Sequence, residues 1–182
     1  MKSFSKFLLK IMGWKCVGTA APVKKCILLG APHTSIWDFV ISWLFYKSVG
    51  GKAYCLVKEE LFVFPLGYLL KAMGGIPIKR DTAAGTVKQI IDQFEKADYL
   101  HLAIAVEGTR KRTTKWKGGF HTIAKKANIP VYFGIFDWKH KEVGRLDEFI
   151  LSDSMEEDIK RVKAFYKNRD VGGKNPENFT TD

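Results

Sequence analysis

The chain has 182 residues, 46% of them hydrophobic and 27% charged, which is the length of one domain and the composition of a folded protein. This composition excludes global disorder. The formal net charge of +11 indicates an affinity for phosphate groups, whether those of nucleic acid, anionic lipid or a phosphorylated small molecule. We find no internal repeat and no domain boundary, so we predict a single domain over residues 1–182.

The first 15 residues interleave apolar and basic side chains. Phe4, Phe7, Leu8 and Ile11 recur at helical spacing, with lysines between them. The pattern predicts an amphipathic helix over residues 1–15 that contacts an anionic membrane surface, with packing against the domain's own core as the alternative. The sequence lacks a run of ~18 apolar residues and a signal-peptide pattern, so we expect peripheral attachment at the cytoplasmic side of the membrane.

Short apolar runs alternate with helical patterns along the rest of the chain. Strands are predicted over residues 25–30, 52–57, 75–79, 99–106 and 130–136. Helices are predicted over residues 36–49, 84–97, 118–127 and 154–167, with one or two more between residues 59 and 73. This alternation indicates an α/β fold, a three-layer sandwich with a largely parallel central sheet. Residues 168–182 form a polar tail that we expect to lie over the surface.

The three cysteines, Cys16, Cys26 and Cys55, are odd in number and lack the paired spacing of metal ligands. We expect free thiols in a reducing compartment and no bound metal, with a catalytic or metal-bound cysteine as the alternative.

Polar clusters follow three of the predicted strands. His33 and Asp38 follow the first strand, Arg80 follows the third, and Glu107 to Arg110 follow the fourth. Because ligands of open α/β sheets bind at the carboxyl ends of the strands, we expect these clusters to form one site.

His33 and Asp38 have the residue types of a base and its orienting carboxylate. We expect Ser35 to cap the following helix, which places Asp38 in its first turn, within reach of the His33 imidazole. The spacing alone is weak, since a His with an Asp five positions later arises by chance with a probability of roughly 0.2. The alternative is a loop histidine beside an aspartate that favours the helix dipole.

The tetrapeptide Glu107-Gly108-Thr109-Arg110 is far more specific, being expected by chance about once in a thousand such sequences. Gly108 lets the backbone approach a ligand, Thr109 offers a hydroxyl, and Arg110 offers a bidentate grip on phosphate. Arg80 is a candidate for a second phosphate contact. The alternative for the tetrapeptide is a polar turn with an exposed ion pair, and the alternative for Arg80 is a solvated arginine at a strand end.

Together these clusters resemble the glycerolipid acyltransferases, the lysophosphatidate-type family marked by an H-x4-D motif. Four sequence blocks occur in the order that the family shows, at residues 33–38, 75–80, 107–110 and 129–131. Three departures occur: Pro32 stands where Asn is common, Ala105-Val106 where Phe-Pro is usual, and Phe133-Gly134 where the fourth block has a second proline. They leave the His33–Asp38 pair intact and bear on the identity of the acceptor.

The resemblance implies a role for each matching residue. His33 would be the general base and Asp38 its partner, and Pro130 would lie on the apolar side of the site. The residues that would bind the phosphate-bearing acceptor are Arg80, Glu107, Gly108, Thr109 and Arg110.

The implied reaction is direct transfer of an acyl group from acyl-CoA or acyl-carrier protein to the hydroxyl of a lysophospholipid-type acceptor such as 1-acylglycerol-3-phosphate, without a cofactor. Neither serine nor cysteine stands in a nucleophile motif, so we expect no acyl-enzyme intermediate. Two alternatives stay open: an acyltransferase of the same fold that acts on an amine or a non-phosphorylated lipid, and a non-catalytic lipid-binding protein. We recognise no nucleic-acid-binding module.

Overall fold

The computed structural model describes residues 1–79 and 81–182, so Arg80 lies outside the described residues. Across these residues the α-helices are α1 (Lys2–Ile11), α2 (Trp37–Ser48), α3 (Leu66–Ala72), α4 (Ala83–Lys96), α5 (Gly119–Ala127) and α6 (Met155–Asn168). The strands are β1 (Lys15–Val17), β2 (Lys25–Ala31), β3 (Tyr54–Lys58), β4 (Gly75–Ile78), β5 (Leu100–Ala105), β6 (Val131–Asp137) and β7 (Glu142–Glu148).

The strands form one seven-stranded sheet in the order β1-β7-β6-β2-β5-β3-β4. Strands β2 to β6 run parallel to one another, whereas β7 is antiparallel to β6 and β1 is parallel to β7. The predicted α/β class with a largely parallel sheet is therefore confirmed. Strands β1 and β7 were not predicted.

A hydrophobic core lies on each side of the sheet. Alternate residues of β2 point to opposite sides, so Ile27 and Leu29 pack with α4, α5 and α6, while Cys26 and Leu28 pack with α1 and α2. Helices α4 and α5 bury the apolar stripe that a 3.6-residue period creates, with Ile90 and Phe94 of α4 and Phe120 and Ile123 of α5 in the core. The result is the three-layer arrangement of helices, sheet and helices.

Helix α1 is amphipathic, as predicted, and is shorter than the 15 residues expected. Leu9 is fully buried in the core shared with α2. Phe4, Phe7 and Ile11 are exposed on the opposite side of the helix. Packing on the core thus accounts for one face of α1 and leaves the other face largely exposed. Within the part of the chain that the structure describes, no helix has both the length and the apolar character needed to cross a bilayer.

Tyr166 links α6 to the central strands. Its ring is fully buried, and its hydroxyl shares its proton between the carbonyl oxygens of Leu29 and Gly134, each 2.8 Å away. Burial raises the pKa of this hydroxyl well above its usual value, so the group stays a donor.

We expect Tyr166→Phe to lower the free energy of unfolding by about 1–3 kcal/mol, because buried carbonyl oxygens lose a donor while the ring is kept. Chemical denaturation measures the change. Tyr68→Phe is the matched control, since the Tyr68 side chain is exposed and removal of its hydroxyl leaves no buried group without a partner. Equal losses in the two variants would contradict the role given to the buried hydroxyl.

Candidate active site

Three loops meet at the carboxyl edge of the parallel strands. Gly30 of β2 lies opposite Ala105 of β5, and Ala31 lies opposite Ile135 of β6. The segments that follow these strands therefore start side by side. They contain His33, Glu107 and Trp138 respectively.

His33 and Asp38 form a close pair at the start of α2. His33 Nδ1 lies 3.2 Å from Asp38 Oδ2. The Asp38 side chain is only 1% exposed, whereas a quarter of the His33 side chain is accessible. Asp38 Oδ2 also accepts hydrogen bonds from the backbone N–H groups of Thr34 and Ser35, both at 2.8 Å. With Nδ1 facing Asp38, Nε2 is the imidazole nitrogen available to a ligand.

The expected cap at Ser35 is wrong by one residue. The residue before α2 is Ile36, which has no capping side chain. The Asp38 carboxylate instead accepts from the amides of Thr34 and Ser35, which lie in the loop before the helix. Ser35 Oγ accepts only a long hydrogen bond, of 3.3 Å, from the Trp37 N–H.

Trp138 completes the surroundings of Asp38 and was not found by sequence reasoning. Its indole Nε1 donates a 2.7 Å hydrogen bond to Asp38 Oδ1. The ring also packs edge-to-face on Trp14. The sequence does show that Trp138 directly follows β6. Assigning it to the site also requires knowing that β6 lies beside β2.

Glu107 holds the backbone of the His33 loop. Its Oε1 accepts a 2.7 Å hydrogen bond from the His33 N–H. Glu107 is buried, and Oε2 has no hydrogen-bond partner within the described ranges. Burial raises the pKa of this carboxyl to about 7, against the opposing effect of the His33 N–H. The expectation that Glu107 contacts the acceptor stays a prediction.

Gly108, Thr109 and Arg110 follow on the outside of the same loop. Gly108 has a φ of +68°, and a Cβ there would lie 2.8 Å from the Lys117 side chain, so glycine is required. Thr109 Oγ1 accepts a hydrogen bond from the Lys111 N–H. The Arg110 side chain is exposed. Strand β4, which leads to Arg80, ends at the same sheet edge but is separated from β5 by β3.

The C-terminal segment packs against the His33 loop. Asn175 donates from its backbone N–H to Thr34 Oγ1 and from its side chain to the Thr34 carbonyl, at 3.2 and 3.0 Å. Lys174 Nζ lies 4.9 and 5.0 Å from the ring centroids of Trp37 and Trp138. The residues predicted to form a polar tail therefore help to hold the site in place.

A second His–Asp pair lies near the first and was also missed. His140 Nδ1 lies 2.6 Å from Asp137 Oδ2 at the end of β6. Asp137 Oδ1 accepts the N–H groups of Lys139 and Gly172, so this carboxylate also organises the turn and the C-terminal segment. The short Asp-x-x-His spacing was the available signal.

Pro130, which was expected on the apolar side of the site, lies away from the His33–Asp38 pair. Its carbonyl accepts from the Ile27 N–H at the start of β2, which places it at the opposite edge of the sheet from His33. No group of three or more His, Cys, Asp or Glu side chains that could hold a metal ion occurs among the residues described.

The raised pKa of Glu107 makes a pH-dependent contribution to stability. Between its ordinary value of 4.5 and about 7, the folded state binds a proton that the unfolded state has released. The free energy of unfolding therefore falls as pH rises through this window. Glu107→Gln lacks this effect, so its stability relative to wild type should increase by up to about 3 kcal/mol from pH 4.5 to 7.

Urea denaturation at a series of pH values measures the difference. Glu60→Gln, at an exposed carboxylate, should show no such trend. A difference between wild type and Glu107→Gln that stays constant with pH would contradict the burial argument.

Comparison with known proteins identifies the family of the chain. The acyltransferase family profile matches residues 15–133, which is 119 of 182 residues and includes the loops of His33 and Glu107. The crystal structure of the 1-acyl-sn-glycerophosphate (LPA) acyltransferase PlsC from Thermotoga maritima is similar, with a TM-score of 0.60 over 96% of this chain and 80% of that chain. The two sequences are 15% identical, so this likeness is one of fold. The comparison with curated proteins gives no match. The profile covers well over half of the chain, which therefore belongs to the acyltransferase family and is an acyltransferase enzyme.

Proposed function

We propose that the enzyme transfers a fatty acyl group from an acyl thioester to the hydroxyl of a lysophospholipid-type acceptor, with His33 as the general base. The observation that carries this proposal is the pairing of a partly exposed imidazole with a buried carboxylate that accepts three further hydrogen bonds. Such a carboxylate can hold one tautomer of the imidazole and stabilise the imidazolium that forms during the reaction.

The proposed step is a direct displacement. Nε2 of His33 removes the proton from the acceptor hydroxyl while its oxygen attacks the thioester carbonyl carbon. The carbon–sulfur bond then breaks, and the departing thiolate takes the proton from the imidazolium. The products are the acylated lipid and free CoA or carrier-protein thiol, and the imidazole is regenerated without a cofactor.

The state of the cysteines supports transfer without an acyl-enzyme. Burial raises the pKa of the Cys26 and Cys55 thiols to about 12, so both are protonated and unreactive near neutral pH. Cys16 is exposed on β1, at the far edge of the sheet from β5.

We assign acceptor binding to the loop after β5 and to Arg80. Arg110 would bind the acceptor phosphate, with Gly108 allowing close approach and Thr109 offering a hydroxyl. The acceptor of the similar enzyme PlsC is 1-acyl-sn-glycerophosphate, a phosphate-bearing lipid of this class. Glu107 would position His33 through its backbone instead of contacting the acceptor.

The lipid nature of both substrates fits a peripheral position on the cytoplasmic side of a membrane. The exposed side of α1 has the apolar and basic composition of an interfacial helix. In this proposal α1 lies on an anionic membrane surface, and the donor, acyl-CoA or acyl-carrier protein, approaches from the aqueous side.

Replacing His33 tests the role of the base. We expect His33→Ala to lower kcat by at least about 10²-fold, because general-base catalysis contributes on that scale. The measurement is transfer of a labelled acyl group from a thioester to 1-acylglycerol-3-phosphate. His140→Ala is the matched control, since His140 also pairs with a buried aspartate at this sheet edge and should keep most of the activity. Loss of activity in His140→Ala with retention in His33→Ala would assign the base to the second pair.

Replacing Arg110 tests the phosphate assignment. We expect Arg110→Ala to raise KM for a phosphorylated acceptor by about tenfold or more, because a charge-assisted contact is lost. Arg112→Ala is the control, since Arg112 is also exposed and its guanidinium reaches the Glu177 carbonyl at 3.5 Å. A panel of acceptors with and without phosphate completes the experiment. Equal use of both acceptor types by wild type would contradict the phosphate assignment, and use of non-phosphorylated acceptors alone would favour that alternative.

A further inference from the structure

A short segment after β3 exposes six large apolar side chains within nine residues, and the proposed function does not use it. We call it the second apolar segment; it consists of Leu61, Val63, Phe64, Leu66, Tyr68 and Leu69. Phe64 is 85% exposed, more than expected for a phenylalanine of a folded domain. Contiguous exposed apolar groups of this kind mark a binding surface.

The second apolar segment begins at the sheet edge that carries His33. Strand β3 is parallel to β5 and ends at Lys58, so the residues after it start at the carboxyl edge. Helix α3 then returns toward the opposite edge. Its end, at Ala72 and Met73, lines a small cleft with Trp43 and Tyr46 of α2, which places α3 in the same helical layer as α2.

Helix α1 lies in this layer too, on the other side of α2. It packs on α2 and contacts β1 at one end of the sheet order, whereas α3 packs on β4 at the opposite end. Lys2 lies beside Gly50, just after α2, and Trp14 packs on Trp138 near the site. Helix α1 therefore runs antiparallel to α2 and ends close to the carboxyl edge. The exposed side of α1 and the second apolar segment thus flank α2, whose first turn carries Asp38.

We propose that the second apolar segment inserts into the same anionic bilayer surface as α1, so that the protein has two membrane contacts on either side of the site. This inference rests on the membrane association in the proposed function and adds a second contact to it. A single amphipathic helix leaves the domain free to rotate about the helix axis. Two separated contacts fix which edge of the sheet meets the lipid.

Charge favours a bilayer over a second copy of the chain as the occupant. Residues 52–79 carry four lysines, Lys52, Lys58, Lys71 and Lys79, against Glu59 and Glu60, a net charge of +2. The whole chain carries +11, so two copies repel each other while anionic lipid attracts each. Phe64 and Tyr68 pack edge-to-face with ring centroids 6.2 Å apart, and aromatic side chains of this kind suit the boundary between acyl chains and headgroups.

The test is co-sedimentation of the full chain with vesicles of equimolar phosphatidylglycerol and phosphatidylcholine. We expect Phe64→Ser/Leu69→Ser to weaken binding by about tenfold or more, because two apolar side chains no longer enter the bilayer. Both positions are exposed, so thermal unfolding should match wild type. Ile150→Ser is the control, since Ile150 is 66% exposed but lies at the opposite, amino edge of the sheet. Its neighbour Phe149 donates its N–H to the carbonyl of Val131 at the start of β6.

Acyl transfer separates this inference from the proposed function. The double variant should lose activity toward acceptor in vesicles and keep wild-type activity toward a short-chain acceptor that is monomeric in solution. Vesicle binding equal to wild type in the double variant would overturn the second contact even if wild type is active. If wild type forms a dimer in sedimentation analysis and the same substitutions convert it to a monomer, the membrane contact would be overturned in favour of a second copy of the chain. A wild-type chain that binds vesicles through both elements but transfers no acyl group would refute the proposed function and leave the membrane contacts in place.

Discussion

The buried carboxylate of Asp38 is the constraint on which the site depends. A carboxylate removed from water costs several kcal/mol unless its oxygens accept hydrogen bonds from the protein. Its donors come from the loop after β2, through the amides of Thr34 and Ser35, and from the residue after β6, through the indole of Trp138. The carboxylate is satisfied only if β2 and β6 are neighbours and α2 starts at that point. Sheet order and site geometry are thus fixed together.

Glu107 and Asp38 are both buried carboxylates, but they differ in how many hydrogen bonds they accept. The Glu107 carboxylate accepts one hydrogen bond, from His33, and Oε2 has none among the residues described. Burial therefore raises its pKa to about 7, and the nearby charge of Asp38 adds to this effect. The carboxylate that faces His33 Nδ1 is that of Asp38, whose oxygens accept several hydrogen bonds. Glu107 holds the His33 loop through its backbone N–H. Under the proposed assignment, a phosphate that approaches Arg110 meets less repulsion than two fully charged carboxylates would cause.

The parts of the fold that were predicted are those with a strong local pattern. The parallel strands are apolar runs and α4 has a regular apolar stripe, so their types followed from periodicity. Strand β7 was missed because it is rich in charged residues and β1 because it has three residues; both extend the sheet beyond β6. The motif residues His33, Asp38 and Glu107 were found because they follow predicted strands. Trp138 lies 100 positions from Asp38, and their contact depends on a strand order that no local pattern specifies.

The location of the site relative to the exposed apolar surfaces gives a physical reason for placing this chemistry at a membrane. In the proposed orientation, α1 and the second apolar segment contact lipid on both sides of α2. Ile36 and Trp37, at the start of α2, are exposed beside the His33–Asp38 pair. A lysophospholipid can then keep its acyl chain in the bilayer while its headgroup reaches the protein. Its hydroxyl and phosphate are only a few bonds apart, so the roles proposed for His33 and Arg110 require neighbouring loops, which the pairing of β2 with β5 provides. In this orientation the proposed acceptor is not extracted into water, which would cost the free energy of exposing its acyl chain.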